Sequence, residues 1–167
     1  VLFDALADPC LRELAPNACW VNVGKRGYAH AVKQPEINRL LVEAARSHPR
    51  VVRLKGGDAS VFGRLEEELQ ALADAGIASE VVPGVTAALA AAAQAQRPLT
   101  RRGAGRSVSL TTAMTQDHEL QGGRHADTEV FYMAGQRLAP LARRLQQAGW
   151  PATAPVLVVS RAGCEDA

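Results

Sequence analysis

VVRLKGGD, residues 51–58, decides the fold: a short apolar run containing paired valines ends in two adjacent glycines. VVPGVTAA, residues 81–88, repeats this pattern downstream. A short apolar run of this kind is typical of a buried strand, and glycine lets the backbone approach a ligand where a side chain would block it. Neither turn matches a dinucleotide fingerprint or a phosphate loop. The pattern therefore predicts one ligand pocket framed by the carboxyl ends of two strands.

Strands and helices alternate along the rest of the chain. Strands are predicted at residues 1–3, 20–23, 51–54, 80–82, 108–112, 129–133 and 156–159. Helices are predicted from Gln34 to the His48-Pro49 break, from Leu65 to a cap at Gly76, over residues 86–95, and from Leu138 to a cap at Gly149. In the first of these helices, an apolar stripe on one face is formed by Ile37, Leu40, Leu41, Ala44 and Ala45. This alternation predicts an α/β fold with a parallel, doubly wound sheet in the first part of the chain.

Two domains are expected, because the chain becomes rich in arginine and glycine after residue 100. We place an N-terminal α/β domain at residues 1–103 and a second, mixed α/β domain at residues 104–167. The chain opens within a strand-like run without a starting methionine, and the second domain lacks strands to complete its sheet. We therefore expect the fold to be truncated at both ends.

Composition indicates an ordinary globular protein. Apolar residues make up 47% of the 167 residues, which is enough for a core of useful size. The net charge of +2 is too small to indicate nucleic-acid binding, and no apolar run approaches the roughly 20 residues that span a bilayer. We therefore predict neither a nucleic-acid partner nor a membrane partner.

The cysteines and histidines do not form a metal-binding pattern. Cys10, Cys19 and Cys164 are an odd number without C-x-x-C spacing, and no histidine is placed to complete a zinc site. We predict no metal and a reducing, cytoplasmic setting.

Several blocks together resemble the tetrapyrrole methylase family and, within it, the uroporphyrinogen-III C-methyltransferases. The resemblance extends from residue 1 to about residue 162. The blocks that carry it are VGKR (residues 23–26), VVRLKGGD (51–58), VFGR (61–64), EVVPGVTAALAAAA (80–93), PLT (98–100) and FYMA (131–134).

This resemblance implies a two-domain, homodimeric enzyme that moves methyl groups from S-adenosylmethionine to pyrrole carbons of uroporphyrinogen III. The product would be precorrin-2, formed by way of precorrin-1, for sirohaem or cobalamin synthesis. The sulfonium of the donor is already an activated leaving group, so such a protein mainly aligns carbon, methyl and sulfur. It must also manage protons on the acceptor.

Two residues match the family's proton-transfer positions. The resemblance makes Asp4 the proton acceptor, at the carboxyl end of the first strand where open sheets bind ligands. It makes Lys25 the proton donor. The alternatives from the residues alone are that Asp4 caps a turn and that Lys25 is a solvated surface charge.

The family's donor contacts also map onto residues of this chain. They fall on Gly56, Gly57, Asp58, Val61, Thr86, Ala87, Met133 and Ala162. Asp58 and Thr86 are also suited to cap helices, and Met133, at a strand end, is also suited to fill a core.

Basic residues are candidates for the substrate carboxylates, because guanidinium groups pair with carboxylates in bidentate geometry. They are Arg26, Arg101 and Arg102, although an arginine cluster in a loop is also commonly a solvated surface.

The chain departs from the family where Ala59 and Ser60 replace proline and phenylalanine, and in residues 101–106. These departures leave two alternatives open, a methylase of a later corrin precursor and a non-catalytic ligand-binding relative.

Overall fold

The computed structural model describes residues 1–24, 32–113, 120 and 122–164. The chain divides into two compact units, Val1–Thr86 and Ala87–Ala167. Both units combine helices with parallel strands, so the predicted α/β class is confirmed. None of the helices in the described ranges is long and apolar enough to cross a membrane.

The first unit contains a three-stranded parallel sheet. Its strands are β1 (Leu2–Phe3), β2 (Val21–Asn22) and β3 (Arg53–Leu54), in the order β2-β1-β3. Leu2 is opposite Val21 on one side and Arg53 on the other. With β1 in the centre and the later strands on either side, the strand order reverses between β1 and β3. The carboxyl edge of an open α/β sheet at such a reversal is where ligands bind.

Helices α1 (Gln34–Ser47) and α2 (Leu65–Asp74) pack together in the same unit. The predicted apolar stripe of α1 is confirmed, since Ile37 and Leu41 are buried with Leu2, Val23 and Leu72 in one core cluster. The predicted stop of α2 is also confirmed. Gly76 has a φ of +69°, and the N–H groups of Gly76 and Ile77 donate to the Ala73 and Leu72 carbonyls of the last helical turn, as in a Schellman motif.

The strand predicted at residues 80–82 is wrong. These residues form no ladder within the described parts of the chain, and the side chain of Val82 is 76% exposed. β-branched residues favour strands through packing on a half-buried pleated surface, which this segment lacks.

The described residues of the second unit form two parallel strands and two helices. Strands β4 (Val108–Thr112) and β5 (Thr128–Tyr132) pair in register along their whole length, as two of the predicted strands. Helices α3 (Ala87–Gln94) and α4 (Leu138–Gln147) match predicted helices. Gly149 closes α4 with a φ of +94°, as predicted.

The strand predicted at residues 156–159 is also wrong, for the same reason as the segment in the first unit. Val156 is 78% exposed, and the segment pairs with no strand among the described residues.

The two compact units meet at residues 86 and 87, before the predicted domain boundary at residues 103 and 104. Helix α3, which was assigned to the first domain, is grouped with the second unit. Gln94 at its end accepts a hydrogen bond from the Gly163 N–H and donates one to the Cys164 carbonyl. In the same unit, the Thr128 hydroxyl donates to the Leu99 carbonyl. The boundary at 103/104 stays a prediction about domains.

Candidate functional site

The strand order of the first unit brings two sequence-distant segments to one edge. Asp4 directly follows β1, and Lys55 directly follows β3. Because β1 and β3 are parallel neighbours, both follow strand ends on the same edge of the sheet. The Gly56 N–H donates to Asp4 Oδ2 at 3.4 Å. The structure therefore brings Asp4 together with the glycine turn of residues 55–58.

Asp4 makes contacts that fit both of its predicted roles. Its Oδ1 accepts a hydrogen bond from the Leu6 N–H at 3.0 Å, so the carboxylate caps the turn that leaves β1. Its Oδ2 lies 4.0 Å from Nη1 of Arg53. The side chain is 23% exposed, which leaves the carboxylate accessible from solvent.

The glycines of the two turns allow close approach between backbone segments. A Cβ on Gly56 would lie 2.5 Å from Cβ of Leu6, and a Cβ on Gly84 would lie 2.1 Å from the carbonyl oxygen of Gly57. Real Cβ contacts under 3.0 Å are essentially absent. The sequence indicated that these glycines make room for a ligand, whereas the structure shows that Gly56 and Gly84 also make room for neighbouring loops.

Asp58 connects the two glycine turns. Its Oδ1 accepts from the Ser60 N–H at 2.8 Å, and its Oδ2 accepts from the Gly84 N–H at 2.8 Å. These hydrogen bonds, that from Gly84 first, hold the pKa of the Asp58 carboxyl below its usual value. Helix α2 begins only at Leu65, so the alternative that Asp58 caps a helix is wrong. Val61 closes the turn by donating its N–H to the Asp58 carbonyl at 3.2 Å.

Sequence reasoning missed an ion-pair cluster of three residues at the end of β3. Glu68 is 2% exposed and pairs with Arg53 and Lys55, the charged residues at the end of β3. A sequence signal was present: Glu68 falls three residues after Leu65 and four before Leu72, on the apolar face of a helix. A charged residue in such a stripe indicates a buried polar contact.

Arg64 is a further residue to which the sequence assigned no role. It adopts a left-handed backbone conformation before α2, with a φ of +56°. Its Nε and Nη2 donate to the two carboxylate oxygens of Glu67 at 2.7 and 2.8 Å.

The remaining donor-site candidates fall in both units. Thr86 is buried at the end of the first unit, and Ala87 is the exposed first residue of α3. Met133 follows β5 with a φ of +59° and is 66% exposed, so the alternative that it fills a core is wrong. Ala162 is half-buried in a turn, which is closed by a hydrogen bond of 3.0 Å from the Cys164 N–H to the Arg161 carbonyl.

The substrate-binding and proton-donor candidates are less fully described. Arg101 is exposed, and its backbone pairs with Gly105 in a tight turn that also contains the exposed Arg102. Within the described ranges, neither arginine forms a salt bridge to an acidic side chain. Lys25 and Arg26 lie outside the described residues.

The chain is similar to proteins of known sequence and to proteins of known structure. The chain is 42% identical to a uroporphyrinogen-III C-methyltransferase of Pseudomonas aeruginosa, covering 97% of this chain and 68% of that protein. It is 46% identical to siroheme synthase 1 of Serratia proteamaculans, covering 96% of this chain. A crystal structure of uroporphyrin-III C-methyl transferase from Thermus thermophilus, complexed with S-adenyl homocysteine, has a TM-score of 0.76 and 39% identity. That match covers 90% of this chain and 64% of the Thermus chain.

The chain spans only 35% of the Serratia protein and about two thirds of the other two relatives. The family model described as Tetrapyrrole (Corrin/Porphyrin) Methylases matches residues 1–167, which is the whole of the chain. The chain therefore belongs to the tetrapyrrole methylase family.

Proposed function

We propose that the protein is an S-adenosylmethionine-dependent uroporphyrinogen-III C-methyltransferase that forms precorrin-2 by way of precorrin-1. One observation supports this function above the others. The Asp4 carboxylate and the glycine turn of residues 55–58 meet at the point where the strand order reverses. The names of the similar proteins point to the same reaction.

The glycine turns suit an amino-acid and ribose-bearing donor. Gly57 is exposed with a φ of +72°, so its backbone is open to a ligand without a side chain in the way. Each carboxylate oxygen of Asp58 accepts one backbone hydrogen bond and retains a second lone pair. We assign contacts with the methyl donor to the residues of this turn. The further donor contacts that we assign are Val61, Thr86, Ala87, Met133 and Ala162.

Bound S-adenosylmethionine would supply the electrophilic methyl group, whose bond to sulfur breaks as a bond to the pyrrole carbon forms. Asp4 would then accept the proton that the methylated macrocycle loses, so that one proton leaves for each methyl cation gained. A proton that Lys25 donates to the macrocycle during the transfer would return to Lys25 before the product leaves. Turn-capping holds the Asp4 carboxylate in one orientation. Arg26, Arg101 and Arg102 would pair with the carboxylates of the macrocycle.

We also propose a homodimer in the cytoplasm. The three cysteines at positions 10, 19 and 164 are free and exposed, as is usual in a reducing compartment. The molar mass by light scattering tests the dimer.

The decisive experiment incubates the full-length protein anaerobically with S-adenosylmethionine and uroporphyrinogen III, followed by product mass and by the spectrum after oxidation. A gain of one or two methyl groups supports the proposal. Binding of S-adenosylhomocysteine without transfer would instead favour a later corrin precursor as acceptor. Absence of both would favour the non-catalytic relative.

A further inference from the structure

Glu68 is a buried carboxylate to which the proposed chemistry assigns no role. It lies on the first turn of α2, 2% exposed, and glutamate is almost never this buried unless it is paired. Its Oε1 accepts from Nε of Arg53 at 3.1 Å and from Nε2 of Gln34 at 3.3 Å. Its Oε2 accepts from Nζ of Lys55 at 2.9 Å. Glu68 thus holds both cations that flank the end of β3.

Arg53 connects Glu68 to the candidate proton acceptor. Its Nε edge faces Glu68, whereas Nη1 donates to the Leu54 carbonyl at 2.8 Å and lies 4.0 Å from Asp4 Oδ2. A guanidinium is planar and rigid, so the position of one edge determines where the other edge points. A change at Glu68 would therefore alter the side of the guanidinium that faces Asp4.

The charges in this cluster balance. Asp4 and Glu68 are two carboxylates, and Arg53 and Lys55 are two cations with side chains 13% and 9% exposed. Glu68 pairs with both cations, and among the described residues Arg53 is the cation that lies 4.0 Å from Asp4.

We infer that Glu68 is a positioning residue for the methyl-transfer reaction, because it orients Arg53 toward the Asp4 carboxylate. This inference rests on the proposed function. Glu68 itself does not touch the reacting atoms; it acts through Arg53. If the cluster served only to hold α2 on the sheet, its loss would lower the fraction of folded protein without changing the turnover of folded molecules.

The test compares Glu68→Gln with Glu43→Gln in the full-length protein. Both substitutions remove a carboxylate that pairs with an arginine, but the Glu43 pair with Arg39 is exposed on α1. For Glu68→Gln we expect kcat per folded molecule to fall roughly 10- to 100-fold. The KM for S-adenosylmethionine and the Kd for S-adenosylhomocysteine should stay within about twofold of wild type. Glu43→Gln should change none of the three quantities.

A second variant, Arg53→Lys, tests the same geometry and covers the case in which Glu68→Gln does not fold. Lysine keeps the positive charge but lacks a planar group with one edge toward Glu68 and another toward Asp4, so kcat should fall by a similar factor. In the double variant the loss should be no larger than in either single variant, since both remove one interaction.

Three results would overturn the inference. In the first, folded Glu68→Gln or Arg53→Lys has the kcat of wild type. In the second, the affinity for S-adenosylhomocysteine falls by as large a factor as kcat, and in the third, the losses of kcat are additive in the double variant. Wild-type protein that binds S-adenosylhomocysteine but transfers no methyl group would overturn the proposed function itself. An active wild type with unaffected variants would overturn the positioning role alone.

Discussion

Gly84→Ala should separate the two glycine turns of the first unit. The added Cβ would lie 2.1 Å from the Gly57 carbonyl oxygen, so the turns must move apart by at least 0.9 Å to reach 3.0 Å. The hydrogen bond from the Gly84 N–H to Asp58, now 2.8 Å long, is broken by a displacement of that size. Overpacking of this kind costs about 1–3 kcal/mol of unfolding free energy.

Gly76→Ala is the matched control. Gly76 has a φ of +69°, but a Cβ there would meet no atom within 4 Å. The cost is then only that of a left-handed alanine, about 1–2 kcal/mol, and the turns of the site stay in place. The two variants therefore lose comparable stability for different reasons.

Urea unfolding measures the two losses of stability, and isothermal titration calorimetry measures S-adenosylhomocysteine binding. Because the turns form the proposed donor site, we expect Gly84→Ala to raise the Kd roughly tenfold, equal to about 1.4 kcal/mol, and Gly76→Ala to leave it unchanged. Wild-type affinity in Gly84→Ala, or an equal loss in Gly76→Ala, would refute the assignment of the donor to these turns.

Three other substitutions test separate parts of the molecule. Asp4→Asn should lower kcat by roughly 10²- to 10⁴-fold with S-adenosylhomocysteine binding intact, and an equal loss of calorimetric affinity would contradict a proton-transfer role. The folded-state pKa of Asp58 is lowered, so its stabilisation is present above about pH 4 and is lost as the pH falls through that pKa. Asp58→Asn should therefore be less stable than wild type in urea at neutral pH, and the difference should shrink in acid; a pH-independent difference would argue against it. Leu41→Ala should cost about 2–5 kcal/mol of unfolding free energy in urea because Leu41 is 4% exposed in the core cluster, and a change below about 1 kcal/mol would place it outside the core.

The helices were the part of the fold that sequence reasoning predicted well. The periodic spacing of Ile37 and Leu41 predicted α1, and the glycines at 76 and 149 predicted where α2 and α4 end. These signals are local, because a helix bonds residues four apart and its cap involves the next two residues. The strands at residues 80–82 and 156–159 were wrong because a strand also needs a partner, which a run of β-branched residues does not specify.

Sequence reasoning identified individual residues of the candidate site but missed the ion pairs that connect them. The KGGD turn and Asp4 were identified from the sequence, and the structure brings them together. The burial of Glu68 was not anticipated, since a glutamate in a helix is usually solvated and its partners lie in β3 and directly after it, in a different part of the chain. Met133 was predicted as a donor contact, and its exposure contradicts only the alternative that it fills a core.

The sequence by itself determined the local elements and the chemical groups available at the sheet edge, because helical periodicity and glycine turns depend on residues close together in the chain. Only the tertiary structure decided that β1 lies between β2 and β3. That order joins Asp4 to Gly56 across 52 positions and places Arg53 between Asp4 and Glu68. Such contacts arise from strand pairing and shared burial over long sequence separations, and no short-range pattern of residue types encodes them.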